Sequence, residues 1–288
     1  MKEVAVIVDS VAMIPPEAAE KYDISVVPSH VVMDGKDYLE TEIDREQVYA
    51  RLRTKENLPT TSAASPGEIL EFFKRASQQA KSILFISLTS GLSAIYSSAT
   101  DAKKLAQEQL PNTAIEVFDS LTVAGAEMLI AIEAAKAANE GKSLPEVTEV
   151  ATKIKQRVAS FGLRESLSQF DRMGRTIGAK DWAKAAIPTI TLLEISAASG
   201  GVNKPLLRER SVTKAIEATL NLVEERIKGG RLRAAVTHTN VVDKAEELKK
   251  RLLSRFKPAE EVYIGEAMPF VGVVNGEGLF EVGFYAEG

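Results

Sequence analysis

The chain has 288 residues, 45% of them apolar and 26% charged, a composition typical of globular proteins at a length that suits two domains. Its 36 Lys and Arg residues against 40 Asp and Glu residues give a net charge of -4, so it lacks the basic surface that nucleic-acid binding or attraction to an anionic membrane usually requires. Cysteine is absent from the sequence, which excludes disulfides, thiol nucleophiles, cysteine-ligated zinc and iron–sulfur clusters.

The first predicted element is the strand Val4–Val8, which follows a short charged start. A signal peptide would have a longer apolar core followed by a small-residue cleavage site. No later stretch approaches the ~20 uninterrupted apolar residues of a membrane helix. We therefore expect a cytoplasmic protein that makes no stable membrane insertion.

Strands alternate with helices from this point. Pro15-Pro16 begins a helix, because proline is well tolerated in a first helical turn. The segment Ile24–Met33 is rich in Val and Ile and is predicted to be a strand. It turns at Asp34-Gly35, a favourable hairpin dipeptide, so that Lys36–Leu39 pairs back against it.

Two capping boxes mark the starts of later helices. Ser65-Pro66-Gly67-Glu68 begins a helix that runs to Ala80, and Ser143-Leu144-Pro145-Glu146 begins another that ends near Ser160. Between them the pattern predicts the strand Ile83–Ser87, a helix from Ser93 to Gln109, the strand Ala114–Phe118 and an Ala-rich helix that stops at Gly141.

Hydroxyl and carboxylate groups gather at the predicted strand ends. The alternation implies a mainly parallel sheet with helices on both faces, and such sheets bind ligands beyond the carboxyl ends of their strands. The groups at those ends are Asp9-Ser10, Thr60-Thr61-Ser62, Ser87–Ser93 and Asp119-Ser120. Two interpretations stay open: the hydroxyls cap the next helix, or with free helix N-terminal amides they form an anion site without a fixed positive charge.

The pattern changes after about residue 160, where residues 164–177 lack clear periodicity. We predict an N-terminal α/β domain over residues 1–160 and a C-terminal α+β domain over residues 161–288, since helices become fewer per strand. The later predicted elements are the strands Ile187–Ile195, Leu232–His238, Glu261–Gly265 and Leu279–Tyr285 and the helices Val212–Lys228 and Val242–Phe256.

The sequence lacks the motifs of several common enzymes. It has no glycine-rich dinucleotide loop and no phosphate-binding loop. Gly91–Ile95 comes nearest to the nucleophile elbow of serine hydrolases, but Ile95 stands where glycine permits the sharp turn. The histidines His30 and His238 lie in or at the end of predicted strands and show no pairing with Ser93, so we interpret both as structural.

An ordered series of motifs resembles the DegV family of bacterial fatty-acid-binding proteins and covers nearly the whole chain. The series is Val8-Asp9-Ser10, Val27-Pro28 with Asp34-Gly35, Thr61-Ser62 with Ser65, Ser90-Gly91-Leu92-Ser93 with Tyr96 and Ser97-Ser98-Ala99, Asp119-Ser120, Met173-Gly174-Arg175, and Arg210 with Lys214-Ala215. The resemblance implies two α/β domains and a long-chain fatty acid whose acyl chain lies in an apolar tunnel completed by the C-terminal domain.

The resemblance also implies a set of ligand-binding residues. In the family a threonine and a serine from the two hydroxyl motifs hold the fatty-acid carboxylate. By motif position the set here is Thr61, Ser62, Ser90, Gly91, Ser93 and Asn275, with Thr61 and Ser93 on the carboxylate. We expect a lipid carrier with no catalytic residue, no metal ion and no cofactor besides the bound fatty acid.

The chain departs from the family pattern at several positions. Val274 replaces a histidine that the family associates with the ligand head group and with phosphoryl transfer by a partner kinase. Ile187-Pro188 stands for the usual Lys-Pro, Ala63-Ala64 for Gln-Pro, and Ala94-Ile95 for Gly-Thr. Carboxylate binding is compatible with these departures, whereas a kinase partnership loses two polar groups.

Two alternatives to a simple carrier stay open. The protein could present fatty acid to a fatty acid kinase that makes acyl phosphate. It could instead be a small-molecule enzyme that uses Asp9 and Asp119 at the strand ends for acid–base chemistry, with or without a metal, although each Asp-Ser pair also suits a turn cap.

Overall fold

A computed structural model describes residues 1–54, 56–183 and 189–287. The strands are β1 Lys2–Asp9, β2 Ile24–Val27, β3 His30–Met33, β4 Lys36–Leu39, β5 Thr60–Ser62, β6 Ala80–Ser87, β7 Ala114–Asp119, β8 Ala159–Arg164, β9 Ile190–Ser196, β10 Lys204–Glu209, β11 Arg231–His238, β12 Tyr263–Glu266 and β13 Phe280–Glu287. The helices are α1 Pro16–Tyr22, α2 Arg45–Thr54, α3 Pro66–Ser77, α4 Ile95–Gln109, α5 Ala124–Asn139, α6 Leu144–Lys155, α7 Ser168–Arg172, α8 Lys180–Ala183, α9 Val212–Ile227, α10 Val242–Arg255 and α11 Pro269–Asn275.

The N-terminal sheet is parallel, with strand order β2-β1-β6-β7, as the alternation of elements predicts. Successive residues of its strands point to opposite faces, and both faces are buried. Ile7 and Phe85 pack on the α3 and α4 side, while Val8 and Ile86 pack on the α5 and α6 side. The sheet therefore holds the carboxyl ends of β1 and β6 in fixed positions side by side.

The predicted strand Ile24–Met33 is wrong as a single element, because the chain divides it near Pro28. Its first part, β2, pairs with β1, and its second part, β3, joins a separate antiparallel sheet of order β4-β3-β5. Proline has no backbone N–H to donate to a sheet ladder, which suits a break at this position. The hairpin at Asp34-Gly35 is confirmed, with both residues at positive φ.

The predicted position of Thr60-Thr61-Ser62 is also wrong. These residues were predicted at the end of a strand in the parallel sheet, yet they form β5 itself, which pairs with β3 in the small sheet through Val31 and Thr61. Their partner strand lies about thirty residues earlier in the chain, a separation that no local pattern signals.

The second large sheet is mixed, with order β10-β9-β8-β13-β11-β12 in the described chain. Its strands pair antiparallel except for β11 and β12, which are parallel. Helices α9 and α10 cover one face, and this arrangement confirms the predicted C-terminal α+β architecture. The predicted strand Ile187–Ile195 begins at Ile190 in the structure, while Ile187 and Pro188 lie outside the described residues.

Helix α5 lies between the two large sheets and is buried along almost its whole length. Its first turn touches the second sheet directly, since a Cβ on Gly283 would lie 2.0 Å from the backbone nitrogen of Ala126. A Cβ on Gly125 would likewise lie 2.8 Å from the carbonyl oxygen of Ala235. The two sheets therefore share this helix, and the boundary between residues 160 and 161 stays a prediction.

Candidate functional site

A largely apolar cleft opens between the two large sheets, at the carboxyl ends of β1 and β6. It has an empty volume of about 540 Å³, part of which is open to solvent. Its apolar walls include Val11, Leu88, Leu92, Phe170, Phe270 and Leu279. Its polar wall residues are Ser93, Arg164, Arg175, Asn275 and Glu281.

Ser93 reaches the cleft because the chain turns between the end of β6 and the start of α4. Its Oγ accepts a hydrogen bond from the backbone N–H of Ile95 at 3.3 Å. The hydroxyl hydrogen is not used in that bond. Ser93 therefore accepts a hydrogen bond at the start of α4 and also lies on the cleft wall, so its position is compatible with both interpretations that the sequence left open.

Thr61 and Ser62 lie on β5, outside the lining of the cleft. Thr61 is half-buried and Ser62 is exposed. Strand β5 packs beside α11, the helix that carries the cleft residues Val271 and Val274. The structure thus places Thr61 one element away from the cleft wall.

Ser90 and Gly91 also lie outside the cleft lining, in the turn before Ser93. The Ser90 backbone N–H donates to Asp119 at 3.2 Å, and the Gly91 N–H donates to the Thr89 hydroxyl at 3.2 Å. A Cβ on Gly91 would lie 3.2 Å from the carbonyl oxygen of Gly201, so glycine allows close contact with the second sheet. These contacts shape the turn that presents Ser93.

Asn275 lies at the end of α11 on the cleft wall. Its side-chain oxygen accepts a hydrogen bond from Nη2 of Arg164 at 3.0 Å, and its amide nitrogen donates to the carbonyl of Val271 at 3.2 Å. Val274, the residue in the family's histidine position, adds apolar surface to the same wall. Of the predicted set, the structure brings Ser93 and Asn275 to one cleft.

Arg164 is a cleft residue that sequence reasoning missed. It ends β8 and is only 4% exposed, with its guanidinium carbon 4.5 Å from the centre of the Phe170 ring. Burial lowers the pKa of Arg164 to about 10, and the negative charge of Glu281 opposes that shift. The alternation of side chains along β8 was the available signal, because Phe161 and Leu163 point to the opposite face of the sheet from Arg164. The signal was weak, because the strand has only six residues and includes Gly162.

Glu281 lies opposite on the neighbouring strand β13 and is 1% exposed. Its carboxylate accepts a hydrogen bond from the backbone N–H of Gly125 at 3.4 Å. Burial raises the pKa of Glu281 above its usual value, and the positive charge of Arg164 opposes this shift. The cleft lining therefore includes two ionisable side chains of opposite charge, Arg164 and Glu281, besides the neutral hydroxyl and amide groups that the sequence predicts for the site.

A second group of buried carboxylates lies beside the cleft, around Asp9. Asp9 accepts hydrogen bonds from the N–H groups of Val11 at 2.9 Å and Leu88 at 2.8 Å, so it caps the turn after β1. Burial raises the pKa of Asp9 to about 7. Burial and the charge of Asp9 raise the pKa of Glu127 well above its usual value, and neither oxygen of Glu127 has a hydrogen-bond partner in the described residues.

The structure places both histidines away from Ser93. His30 lies between Asp37 and Glu68, at 3.0 and 2.8 Å, and His238 accepts from the Val241 N–H at 3.4 Å, so neither contacts Ser93. Across residues 1–54, 56–183 and 189–287, no cluster of three or more His, Cys, Asp or Glu side chains is placed to hold a metal ion. Every helix in these ranges is too short or too polar to cross a bilayer.

Comparisons with known proteins agree with this fold. A family model described as "Uncharacterised protein, DegV family" matches residues 3–287. A DegV domain-containing protein of Clostridium perfringens is 30% identical over 273 residues, 94% of each chain. The structure also resembles a DegV family protein from Thermus thermophilus described by its fatty acid binding, with a TM-score of 0.89 at 23% identity over the whole of both chains.

A third similarity is to DegV of Bacillus subtilis, described as a fatty acid binding protein, with a TM-score of 0.85 and 26% identity over the whole of both chains. The family match spans both large sheets and the cleft between them. The ordered motifs, the architecture and these similarities agree: the chain belongs to the DegV family.

Proposed function

We propose that the cleft binds one long-chain fatty acid and that the protein acts as its carrier. The observation that carries the proposal is the cleft, which has a mainly apolar lining and opens at the carboxyl ends of β1 and β6, the ligand edge of the parallel sheet. The B. subtilis relative, which is described as a fatty acid binding protein, supports the choice of ligand class.

Burial of the acyl chain supplies most of the affinity. Each buried CH₂ group contributes roughly 0.8 kcal/mol, part of which is offset by the entropy lost on binding. A hydrogen bond to the charged carboxylate adds ~1.5–3 kcal/mol and fixes the orientation of the ligand. The apolar walls are mostly aliphatic, with Phe170 and Phe270 as the aromatic members, and such a surface suits a flexible hydrocarbon.

Thr61 and Ser93 hold the carboxylate in this proposal, with Asn275 close by. The position of Ser93 on the cleft wall and its free hydroxyl hydrogen support its role. The motif match and the contact of β5 with α11 support the role of Thr61. The remaining members of the predicted set flank these groups: Ser62, Ser90 and Gly91.

The ligand can be identified directly from purified protein. We expect denaturation and solvent extraction to release close to one acyl ligand per chain, which mass spectrometry identifies. Delipidated protein should regain one equivalent of added stearate, measured by titration calorimetry. Protein that is empty as purified and also fails to take up stearate would contradict the proposal.

We also propose that residues 1–160 supply the hydroxyl groups, that residues 161–288 complete the tunnel, and that the carrier works in the cytoplasm. Presentation of the fatty acid to a kinase is the alternative. The apolar Val274 on the cleft wall weakens that alternative, because the family's histidine position there has no polar group. Acyl phosphate formed with a family kinase and ATP, and absent without this protein, would establish it.

A further inference from the structure

Two buried ionisable side chains interrupt the apolar wall of the cleft. Arg164 on β8 and Glu281 on β13 are 4% and 1% exposed, and both line the cleft. Gly162 makes room for them, since a Cβ there would lie 2.6 Å from Nη1 of Arg164 and 3.5 Å from Oε2 of Glu281. The guanidinium of Arg164 and the carboxylate of Glu281 thus both lie over Gly162.

The hydrogen bonds of this pair are incomplete. An arginine side chain has five N–H donors. Nη2 of Arg164 donates to Asn275 at 3.0 Å, whereas its buried Nε has no hydrogen-bond partner among the described residues. Glu281 accepts a long bond of 3.4 Å from the Gly125 N–H and lies within hydrogen-bonding reach of the Thr237 and Ser160 hydroxyls, which leaves room at its carboxylate for one more donor. Both groups therefore retain unused capacity beside the ligand space.

A plain hydrocarbon chain is a poor neighbour for such groups. It would exclude water from Arg164 and Glu281 and offer no hydrogen bond in return, which makes burial of these polar groups unfavourable. A hydroxyl group can accept from Arg164 and donate to Glu281 at the same time. A second carboxylate suits the pair less, because Glu281 cancels the positive charge of Arg164.

We propose that the preferred ligand is an oxygenated long-chain fatty acid, whose chain carries a hydroxyl group that binds between Arg164 and Glu281. This inference rests on the proposed fatty-acid binding and adds the substrate class. Ser93 follows β6 of the parallel sheet, whereas Arg164 and Glu281 lie on β8 and β13 of the mixed sheet, so polar groups face the cleft from two sides. The carboxylate binds at the hydroxyl residues and the chain hydroxyl at the charged pair.

Binding of stearate and of a series of hydroxystearates, each with its hydroxyl at a different carbon, tests the proposal on delipidated full-length protein. We expect at least one isomer to bind about tenfold or more tighter than stearate, as one added hydrogen bond to a charged group allows. Equal affinity for stearate and all isomers overturns this inference and leaves fatty-acid binding intact. Absence of binding by every probe overturns both.

The double variant Arg164→Met with Glu281→Leu removes the pair without leaving one charge buried alone. We expect it to lose the preference for the hydroxystearate, measured as the ratio of its affinity to that of stearate. Loss of binding to stearate and hydroxystearate alike would mean that Arg164 holds the carboxylate, which also overturns the inference. If the double variant does not fold, the milder variant Glu281→Gln replaces it in the test. We expect Glu281→Gln to show a smaller preference for the hydroxystearate over stearate.

A control variant removes an ion pair away from the cleft, between a buried glutamate on β9 of the same sheet and a partly exposed arginine on α9. Arg226 and Glu194 pair at 3.1 Å, with Glu194 1% exposed. Arg226→Met with Glu194→Leu should leave the preference for the hydroxystearate unchanged. If this control also loses the preference, the loss comes from general loosening of the sheet, and that result would contradict the proposal.

Discussion

The single hydroxyl group of Ser93 lies between the start of helix α4 and the cleft. Its oxygen accepts from the Ile95 N–H and its side chain lines the cleft, so we expect removal of the side chain to affect both α4 and the binding of the carboxylate. Loss of a helix-capping hydroxyl typically lowers stability by about 1 kcal/mol. The structural and ligand-binding contributions are therefore separable only by measuring stability and affinity on the same variant.

Thr61→Ala combined with Ser93→Ala should weaken stearate binding by at least about tenfold, because two hydrogen bonds to the carboxylate are lost. Titration calorimetry gives the affinity and thermal melting checks the fold. Ser143→Ala is the control, since the Ser143 hydroxyl belongs to the capping box of α6, away from the cleft. Unchanged affinity in the double variant would remove Thr61 and Ser93 from the site.

The buried carboxylates near Asp9 make stability depend on pH. Burial raises the pKa of Asp9 from 3.8 to about 7 and that of Glu127 in the same direction. The folded protein therefore retains protons that the unfolded chain releases in this range, and the free energy of unfolding falls as pH rises from about 4 to about 7. Above that range the contribution of Asp9 is complete, whereas Glu127 continues to lower the free energy of unfolding until the pH exceeds its own raised pKa.

Glu127→Gln should raise the free energy of unfolding more at about pH 8 than at about pH 4, because it removes one charge and lets an amide donate to Asp9. Denaturant unfolding at both pH values measures the difference. Glu108→Gln on the exposed side of α4 serves as the control and should show no such pH dependence. An equal effect of Glu127→Gln at both pH values would contradict this reasoning.

At the scale of elements, helix α5 connects the two large sheets. It contacts β1 of the parallel sheet and β11 and β13 of the mixed sheet, and Gly283 lets its first turn approach the backbone of β13. No side chain fits between them. A single added carbon there must move either the helix or the sheet.

Gly283→Ala should destabilise the protein by about 1–3 kcal/mol or more, since the new Cβ would lie 2.0 Å from the nitrogen of Ala126. Gly67→Ala is the control, because a Cβ there would meet only the Ser65 hydroxyl at 3.9 Å. Thermal melting compares the two variants. A melting temperature of Gly283→Ala equal to that of the parent protein would show that α5 and β13 can separate freely.

Local signals explain which elements could be predicted. The capping boxes at Ser65 and Ser143 and the turn at Asp34-Gly35 depend on a few adjacent residues, and each was predicted correctly. The division of Ile24–Met33 and the strand Thr60–Ser62 depend on which distant strand pairs with which, so they were missed. Pro28 was the one local sign of that division.

At the scale of the whole molecule, the cleft is assembled from both halves of the chain. Ser93 comes from the parallel sheet, whereas Arg164 and Glu281 come from the mixed sheet. The hydroxyl motifs could be found in the sequence because they follow strands. The Arg164–Glu281 pair could not, since 117 residues separate its members and the two strands meet only in the folded sheet.

Residues 1–160 expressed alone should not form a stable monomer, although we propose them as a domain. The α5 face that covers β11 and β13 would be exposed, together with Glu133, which pairs with Arg233 in the full chain. We expect dye binding to exposed apolar surface and a non-cooperative melt, both corrected by co-expression with residues 161–288. A monomeric fragment with a cooperative melt would contradict this expectation.

The order of strands in the mixed sheet has a consequence for biosynthesis. Strand β13 lies in the interior of the sheet, between β8 and β11, yet it follows both of them in the chain. During translation, β8 and β11 leave the ribosome with an open gap between them and unpaired edges that can associate with other chains. The nascent protein must wait for residues 280–287 before its second sheet can close, which makes shielding by a chaperone most useful late in synthesis.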